Sequence, residues 1–335
     1  MSTATDKIDF DSIHTAKKQN HLQKIMETTC VEILKMPNSN PVLTACPICD
    51  TEDVEFYVEK FGFRLDRCSE CGHLFCNPYP EVSQLTAYYQ SSMKEFENEF
   101  FRDSFEKRLP IFEHRIKVIE QYIKRGRILD VGSAVGIFIE ALKRGKAEFE
   151  VESCDPSAEA CMYLKNRFPQ LIVHQMMLED LNVSDKFDVV TMWDTLEHIL
   201  DPYEIGEAVR GLLKPGGYWF FSTPYIDGFE WQIAQREHVQ ILPPGHINLF
   251  TLKGIQTLLD RTGFSLVNHF TPNGLLDVSY VKKLLKGDQA DLFRERLGVF
   301  LGSQFETNDS FCDLFADLIS NKGLAGNILA VARVK

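Results

Sequence analysis

Four cysteines in two short pairs are the residues whose types and spacing most directly suggest chemistry. The two Cys-x-x-Cys pairs are Cys46 with Cys49 and Cys68 with Cys71. Together they supply four thiolates, which is the donor set of a tetrahedral zinc site. Because four thiolates leave no coordination position for water or a substrate, we expect a structural zinc ion rather than a catalytic one. Iron in the same cage is the alternative, and the neighbouring His73 and Cys76 could replace a ligand.

Composition and charge exclude several classes of protein. The chain has 335 residues, of which 44% are hydrophobic, so it can bury a full core, and its length predicts more than one domain. Its 36 basic and 48 acidic residues give a net charge of -12, which opposes nonspecific binding to nucleic acid or anionic lipid. The N-terminal residues are charged where a signal peptide is apolar, and no segment approaches the roughly 20 apolar residues of a membrane span. We therefore expect a cytoplasmic protein without a membrane partner.

Sequence patterning divides the chain into four segments. An apolar stripe at helical spacing predicts an amphipathic helix over about 15–36, which could be a lid or a docked structural arm. A helical insertion near the C-terminus could cap an acceptor pocket or form the surface of a homodimer. The predicted segments are a helical arm (1–40), a zinc-binding module (41–80), connecting helices (81–125) and a catalytic domain (126–335) with its helical insertion (274–325).

The catalytic domain is expected to contain a mostly parallel β-sheet. After residue 126, short apolar runs alternate with helical stretches, a pattern typical of a doubly wound α/β fold with helices on both faces of the sheet. We predict a Rossmann-like sheet of seven strands. The predicted strands are RILDV, FEVESC, LIVHQ, FDVVTMW, GYWFFST, FSLVNHF and NILAVARV.

The first predicted strand runs into a glycine-containing turn that suits a nucleoside cofactor. In ILDVGSAVGIFIEAL, Gly132 and Gly136 allow a tight turn before a helix whose N-terminal amides face a ligand. Asp155 follows the second strand, where an acid can accept both hydroxyl groups of a ribose. The segment lacks the G-x-G-x-x-G pattern of dinucleotide sites, so a nicotinamide oxidoreductase becomes the weaker hypothesis.

Several motifs together resemble class I S-adenosylmethionine-dependent methyltransferases. The motifs are LDVGSAVG, the acid Asp155, FDVVTMWDTLEHILDP and LLKPGGYWFFSTP, in the order and spacing of that family. With the four-cysteine module and GHINLFT, the chain is similar to the group that includes ubiquinone-type O-methyltransferases and sugar methyltransferases. The resemblance covers residues 41–273 and 326–335. It departs from the family at Ala134, where glycine is usual, and we expect a slightly different loop there.

The resemblance implies a set of cofactor-binding residues. Four of them would surround the methionine end of S-adenosylmethionine, one would hold the ribose, two would contact adenine, and two would form the floor near the sulfonium. In that order they are Asp130, Gly132, Ser133 and Gly136; Asp155; Met177 and Leu178; and Trp193 and Asp194. Ordinary core packing is the alternative for Met177 and Leu178.

A histidine is the expected general base, because a hydroxyl acceptor must lose a proton during methyl transfer. His246 in GHINLF is the first candidate, His198 in LEHILDP is the second, and His238 is a weaker one. A satisfied structural histidine is the alternative in each case. Three aromatic residues of the same region could form an acceptor wall or simply pack together; they are Tyr225, Phe229 and Trp231.

The sequence therefore predicts a small-molecule methyltransferase with S-adenosylmethionine as donor and a structural zinc ion. The expected reaction is O-methylation of a sugar, nucleotide-sugar or glycan by direct displacement, in carbohydrate or natural-product biosynthesis. C- or N-methylation of a related molecule remains open, because the motifs define the donor better than the acceptor. A protein or RNA methyltransferase that docks through the zinc module is a further alternative, although the module mixes both charge signs instead of presenting a basic stripe.

Overall fold

The structure, a computed structural model, describes residues 16–145, 148–272 and 274–335. The chain divides into two compact units that are each built from separate stretches of sequence. The first unit consists of the described residues up to Lys94 together with Thr223–Gly254 and His269–Leu329. The second unit consists of Glu95–Ser222, Ile255–Asn268 and Ala330–Lys335. Within the described residues, no helix has the length and hydropathy needed to cross a membrane.

The first unit contains a four-stranded antiparallel sheet that carries the cysteine pairs. Its strands are β1 (Val54–Lys60), β2 (Phe63–Cys68), β3 (Leu74–Cys76) and β9 (Asn248–Leu249), in the order β1-β2-β3-β9. A two-residue turn joins β1 to β2, and both of its residues have positive φ, 53° at Phe61 and 82° at Gly62. Such a turn matches the twist of an antiparallel pair. The short β9 comes from a region more than 170 residues beyond β3, and pairs with it through Leu74 and Leu249.

The N-terminal helix packs within the first unit. Helix α1 (Ala16–Ile33) buries Met26, Cys30 and Ile33 against Phe63 and Tyr88. The structure thus has a helix where the sequence pattern predicts an amphipathic one, and the apolar side of this helix packs against other residues of the first unit. The contacts favour a docked structural arm over a lid.

Helices follow the four-cysteine module, as the sequence pattern predicts. They are α2 (Val82–Tyr89), α3 (Ser92–Asp103) and α4 (Phe105–Tyr122). The late helical segment is also confirmed, and its helices surround Phe305, which is fully buried in a cluster with residues of α8. The helices of this cluster are α8 (Phe229–Ala234), α10 (Gly274–Leu284), α11 (Ala290–Leu297), α12 (Val299–Thr307) and α13 (Asp309–Asn321).

The predicted α/β architecture is confirmed by a seven-stranded sheet in the order β10-β11-β8-β7-β4-β5-β6. Four neighbouring pairs, from β8 through β7, β4 and β5 to β6, run parallel. The strands are β4 (Arg125–Val131), β5 (Glu148–Cys154), β6 (Ile172–His174), β7 (Phe187–Trp193), β8 (Leu213–Pro224), β10 (Phe264–Phe270) and β11 (Asn327–Val334). Central strand residues such as Ile128 and Val190 are fully buried, as expected of a sheet covered on both faces.

The helices of the parallel region begin at residues that suit helix starts. They are α5 (Ile137–Arg144), α6 (Ala158–Arg167), α7 (Pro202–Leu212) and α9 (Leu252–Arg261). In the LEHILDP motif, the Asp201 carboxylate accepts hydrogen bonds from the backbone N–H groups of Tyr203 and Glu204, and Pro202 occupies the first turn. The motif thus has a structural role in starting α7 directly after β7.

Candidate functional site

The carboxyl ends of the parallel strands bring several predicted site residues to one edge of the sheet. Strand β4 lies between β5 and β7, with Asp130 opposite Ser153 on one side and Thr191 on the other. Asp130 is 1% exposed, and its Oδ1 accepts a hydrogen bond from the Thr191 hydroxyl at 2.8 Å. Burial, with a smaller contribution from the nearby Asp155, raises the pKa of Asp130 to about 7. A buried acid at this position is expected to be paired with a cationic group when it ionises.

The raised pKa of Asp130 makes a testable prediction about stability and pH. Between about pH 4 and pH 7 the folded protein holds a proton that the unfolded chain has released, so stability falls as the pH rises. Asp130→Asn keeps the oxygen that accepts from Thr191 and removes the titration. Over this window we expect the free energy of unfolding of the ligand-free wild type to fall more steeply than that of the variant, by up to about 1.4 kcal/mol per pH unit. Urea unfolding at several pH values measures both slopes, and parallel profiles would contradict the prediction.

The Asp155 carboxylate joins the loops that follow β4 and β5. It is 7% exposed, and it accepts a backbone hydrogen bond from Ala134 at 3.1 Å and another from Ser157 at 2.9 Å. A carboxylate has about four lone-pair positions, so one carboxylate can hold a loop and accept from a ligand hydroxyl at the same time. The residue therefore has a structural role in addition to the predicted binding role.

The turn after β4 requires its glycines for reasons of backbone and packing. Gly132 and Gly136 have φ of 71° and 75°, a region that side chains rarely adopt. A Cβ at Gly132 would lie 2.6 Å from the Thr195 hydroxyl, and one at Gly136 would lie 2.7 Å from Leu164. Ala134, which stands where the family usually has glycine, has φ of 45°. The loop therefore places a non-glycine residue in the left-handed region.

Two predicted neighbours of adenine lie in different environments. Leu178 is 4% exposed and begins a 3-10 turn, whereas Met177 directly before it is 47% exposed. Core packing therefore explains a hydrophobic residue at Leu178, whereas Met177 is too exposed for core packing to explain its hydrophobic side chain.

Ser133 holds the loop after β4 in place. Its hydroxyl donates to the Asp130 carbonyl at 2.9 Å and accepts from the Ser153 hydroxyl at 2.8 Å.

Arg115 is a candidate functional residue that the motif comparison missed. It lies on α4, is 4% exposed, and donates from Nη2 to the Asp194 carboxylate at 2.9 Å. Its guanidinium lies over the rings of Phe112 at 4.5 Å and Trp193 at 4.8 Å. Among the described residues, none accepts a hydrogen bond from the buried Arg115 Nη1. The positive charge also lowers the pKa of Asp130, which places it at the same edge of the sheet.

The arrangement around Trp193 and Asp194 has a strained backbone and a rigid support. Asp194 has φ of 49°, and its backbone N–H donates to the Ser222 carbonyl at 2.9 Å. Its Oδ1 accepts from the Ser222 hydroxyl at 3.0 Å. Non-glycine residues with positive φ are often found at functional sites. A sequence signal for Arg115 did exist, because it interrupts the buried apolar face to which Leu109 and Ile116 belong.

The three candidate histidines differ in their hydrogen bonds. His198 ends a 3-10 turn after β7 in the second unit and is partly buried. His246, in the first unit, lies with Nδ1 at 2.9 Å from the Gln240 carbonyl. Because a carbonyl only accepts, Nδ1 carries the proton, and Nε2 of the neutral ring is the basic nitrogen. His238 is fully buried, with Nε2 at 3.1 Å from Glu230 and with Nδ1 accepting from the Gln240 N–H, so both of its nitrogens serve the fold.

The aromatic residues proposed as an acceptor wall are packed inside the first unit. Trp231 is 3% exposed and stacks on His238 with a centroid distance of 3.8 Å. Phe229 contacts Phe305 and Phe315 at 5.8 Å and 4.9 Å. Tyr225 is 5% exposed. These contacts support the packing alternative that the sequence left open.

The four paired cysteines converge on one point, although they belong to two separate turns. Their Sγ atoms all lie within 4.8 Å of one another, and neither His73 nor Cys76 belongs to this group. Two of the Sγ–Sγ distances are 3.7 Å and 3.4 Å, near the roughly 3.8 Å edge of a tetrahedron with zinc–sulfur bonds of about 2.3 Å. The backbone N–H groups of Ile48 and Cys71 point at thiolate positions on Cys46 and Cys68. The geometry and donor set fit a single closed metal site.

Both cysteine pairs end in the same left-handed backbone conformation. Asp50 follows the first pair with φ of 61°, and Gly72 follows the second with φ of 74°. Aspartate is among the few non-glycine residues that adopt this region with some frequency. A Cβ at Gly72 would meet the Thr251 methyl group at 2.8 Å, so glycine is required there by packing as well.

A parallel α/β sheet with acidic residues at the carboxyl ends of adjacent strands and a glycine turn defines a nucleoside-cofactor protein of the Rossmann-like class. A family model described as a methyltransferase domain matches residues 93–269. The chain therefore belongs to the S-adenosylmethionine-dependent methyltransferases, as the sequence resemblance predicted.

Named relatives of the chain are O-methyltransferases. The ubiquinone biosynthesis O-methyltransferase of Coxiella burnetii is 29% identical over 191 residues, which cover 50% of this chain and 81% of the relative. The enzyme of the same name from Azotobacter vinelandii is 35% identical over 115 residues, which cover 32% of this chain and 50% of the relative. A solved structure described as an S-adenosylmethionine-dependent methyltransferase from Thermotoga maritima is 15% identical, with a TM-score of 0.48 and coverage of 72% of this chain and 97% of that chain.

Proposed function

We propose that the protein transfers a methyl group from S-adenosylmethionine to the hydroxyl group of a small molecule. The observation that carries this proposal is the buried Arg115, whose Nη1 has no acceptor among the described residues and whose charge reaches both Asp130 and Asp194. A buried cation with an unfilled donor beside two acids suits a ligand that bears both a carboxylate and an ammonium group. The amino-acid end of S-adenosylmethionine is such a ligand.

The residues at the carboxyl edge of the sheet fit the cofactor by the chemistry of their donors. Arg115 would bind the carboxylate, and Asp130 would accept from the ammonium group, which would favour its ionised form. Asp155 would accept from the ribose hydroxyls, with Met177 beside the adenine. Gly132, Ser133 and Gly136 would shape the loop that borders the cofactor, and Leu178, Trp193 and Asp194 would support its two ends. When bound, the cofactor supplies a methyl group on a positively charged sulfur.

The contribution of the protein to such a reaction is mainly alignment and exclusion of water. Alignment of reacting groups is worth about 7–11 kcal/mol of the barrier. Residues that rigidly support the site fit this requirement, since Asp194 is fixed by Ser222 and Arg115, and Asp155 is fixed by two backbone amides. The sugar, nucleotide-sugar or glycan acceptor remains our proposal, with C- or N-methylation as the alternative. The named relatives support O-methylation of a small molecule.

We assign the general base to His246, with His198 as the second candidate. The Gln240 carbonyl holds the His246 proton on Nδ1, which leaves Nε2 as the basic nitrogen of the neutral ring. His246→Ala should lower kcat by about 10²–10⁴-fold, because a positioned base contributes a factor of that size. The dissociation constant for S-adenosylmethionine should stay near the wild-type value, since the base acts on the acceptor. His198→Ala is the matched comparison, and full turnover in His246→Ala would move the assignment to His198 or remove the base.

The second part of the proposal is a structural zinc ion held by the four clustered cysteines. The convergence of four thiols at near-tetrahedral distances supports it. A closed set of four thiolates leaves no position for a substrate, so the ion would cross-link the module rather than take part in methyl transfer.

Isothermal titration calorimetry tests the proposed donor directly. The protein should bind S-adenosylmethionine and its product S-adenosylhomocysteine, and it should not bind NADH. Binding of NADH alone would replace the proposal with the oxidoreductase hypothesis. A mass spectrometric screen of candidate acceptors with an isotope-labelled donor would then identify the substrate.

A further inference from the structure

Helix α4 carries a second partly buried arginine, Arg108, on the same face as Arg115. The two residues are seven positions apart, which is close to two turns of an α-helix. The Nε of Arg108 donates to the Ser104 hydroxyl at 2.9 Å. Its guanidinium lies over the rings of Phe101 at 4.5 Å and Phe100 at 5.2 Å. Arg108 is therefore held in place by its own helix and by the helix before it.

Arg108 lies within electrostatic reach of two acids and of a second arginine. Burial lowers the pKa of Arg108 to about 10, while Asp194 and Glu97 raise it and Arg115 lowers it. Asp194 thus lies within electrostatic reach of both arginines, but its Oδ2 is taken by Arg115 Nη2. Among the described residues, none accepts a hydrogen bond from Nη1 or Nη2 of Arg108, and the side chain contacts Ser104 and the two rings.

Two guanidinium groups with unfilled donors can hold more than one oxyanion. The proposed function assigns the cofactor carboxylate to Arg115, whose Nη1 is the fully buried donor. That assignment leaves the Nη1 and Nη2 groups of Arg108 for a second ligand, in a partly buried position beside Phe100 and Phe101. A guanidinium presents paired donors that match the two oxygens of a carboxylate or phosphate.

We propose that Arg108 binds a carboxylate or phosphate group on the methyl acceptor, so that the substrate is an anionic small molecule. This inference rests on the proposed function, because it presumes that the cofactor carboxylate occupies Arg115. It narrows the acceptor from sugars and phenols in general to those that bear an acidic group. Arg108 would act as a specificity-determining residue, because it would favour an anionic acceptor over a neutral one.

Paired ligands with and without the anionic group test this inference. Wild-type protein saturated with S-adenosylhomocysteine is titrated with 3,4-dihydroxybenzoate against catechol, and with glucose 6-phosphate against glucose. The variants are Arg108→Gln, Arg108→Lys and the control Lys117→Gln, which removes a positive charge from an exposed position of the same helix. Thermal melting of each variant verifies that it is folded.

We expect at least one anionic ligand to bind wild type about 10- to 100-fold more tightly than its neutral partner, the range of a charge-assisted hydrogen-bonded pair. Arg108→Gln should lose this advantage, Arg108→Lys should keep part of it, and Lys117→Gln should keep it all. Preferred binding of 3,4-dihydroxybenzoate would identify a carboxylate as the recognised group, and preferred binding of glucose 6-phosphate would identify a phosphate. An advantage that survives in Arg108→Gln, or the failure of both anions to bind, would overturn the inference.

The titration of S-adenosylhomocysteine itself separates this inference from the proposed function. Arg108→Gln should bind it with the wild-type dissociation constant, whereas Arg115→Gln should bind it weakly. Equal weakening in both variants would assign Arg108 to the cofactor and would contradict an acceptor role. A wild-type protein that binds no S-adenosylhomocysteine would instead contradict the proposed function.

Discussion

Asp155→Ala should weaken the binding of S-adenosylhomocysteine and of methylthioadenosine by the same factor, about 100-fold or more. Both ligands contain the ribose, and the loss of two hydrogen bonds to a carboxylate costs about 3–6 kcal/mol. Arg115→Gln should give a different pattern, because methylthioadenosine lacks the amino-acid group that we assign to Arg115. It should weaken S-adenosylhomocysteine and leave methylthioadenosine unchanged. Isothermal titration calorimetry of the two variants with the two ligands measures the four dissociation constants, which are compared with those of the wild type.

The structural role of Asp155 requires controls for this experiment. Replacing its carboxylate leaves the N–H groups of Ala134 and Ser157 without their acceptor, which can disturb both loops. Asp155→Asn keeps one oxygen and should fall between wild type and Asp155→Ala. Asp180→Ala removes an exposed acid of a nearby loop and should bind both ligands normally. Unchanged affinity for methylthioadenosine in a folded Asp155→Ala would mean that the ribose lies elsewhere.

Cys68→Ser should release the metal and unfold the first unit. Cys68 is fully buried at the end of β2, within the group of four sulfur atoms. Structural zinc sites contribute about 10–16 kcal/mol of apparent binding free energy in zinc-finger peptides, comparable to the 5–15 kcal/mol total stability of a typical domain. The variant should contain no stoichiometric zinc by elemental analysis. Circular dichroism and limited proteolysis should show a loss of ordered structure in the first unit.

Cys76→Ala is the matched control for the metal site. Cys76 is also fully buried, in the adjacent strand β3, but lies outside the sulfur cluster. It should retain about one zinc ion per chain and should lose only the stability of a buried thiol. One equivalent of iron in place of zinc would contradict the zinc assignment. A folded Cys68→Ser protein that keeps full metal content would contradict the ligand set.

Local patterns were sufficient to predict the elements of this fold. The seven strands of the sheet were visible as short apolar runs. The pattern is clearest in strands such as β7 and β11, because strands buried on both faces contain few polar residues. The helix after the four-cysteine module and the late helical segment followed from their periodic apolar positions. The Cys-x-x-Cys spacing predicted the sulfur cluster because two tight turns of this length can present four thiols to one ion.

Side-chain environments were less predictable, since they depend on contacts between distant segments. Nothing near His238 in the sequence reveals that Trp231 stacks on it and that Glu230 binds its Nε2. Leu178 and Met177 are neighbours of similar hydrophobicity, yet one is buried and the other is exposed. The same limit applied to Arg115, whose position on an apolar helix face was visible while its partner, Asp194, lies 79 residues further along the chain.

The sequence by itself determined the class of fold, the methyltransferase family and the cluster of four cysteines, because each depends on residue types at fixed short spacings. Only the tertiary structure decided which groups lie together: Arg115 with Asp194, Asp155 with two loop amides, and Arg108 with two aromatic rings. Burial makes an unfilled hydrogen-bond donor costly, and burial is a property of the packed chain. For that reason the donor could be predicted from motifs, whereas the charge of the acceptor had to be inferred from the folded helix α4.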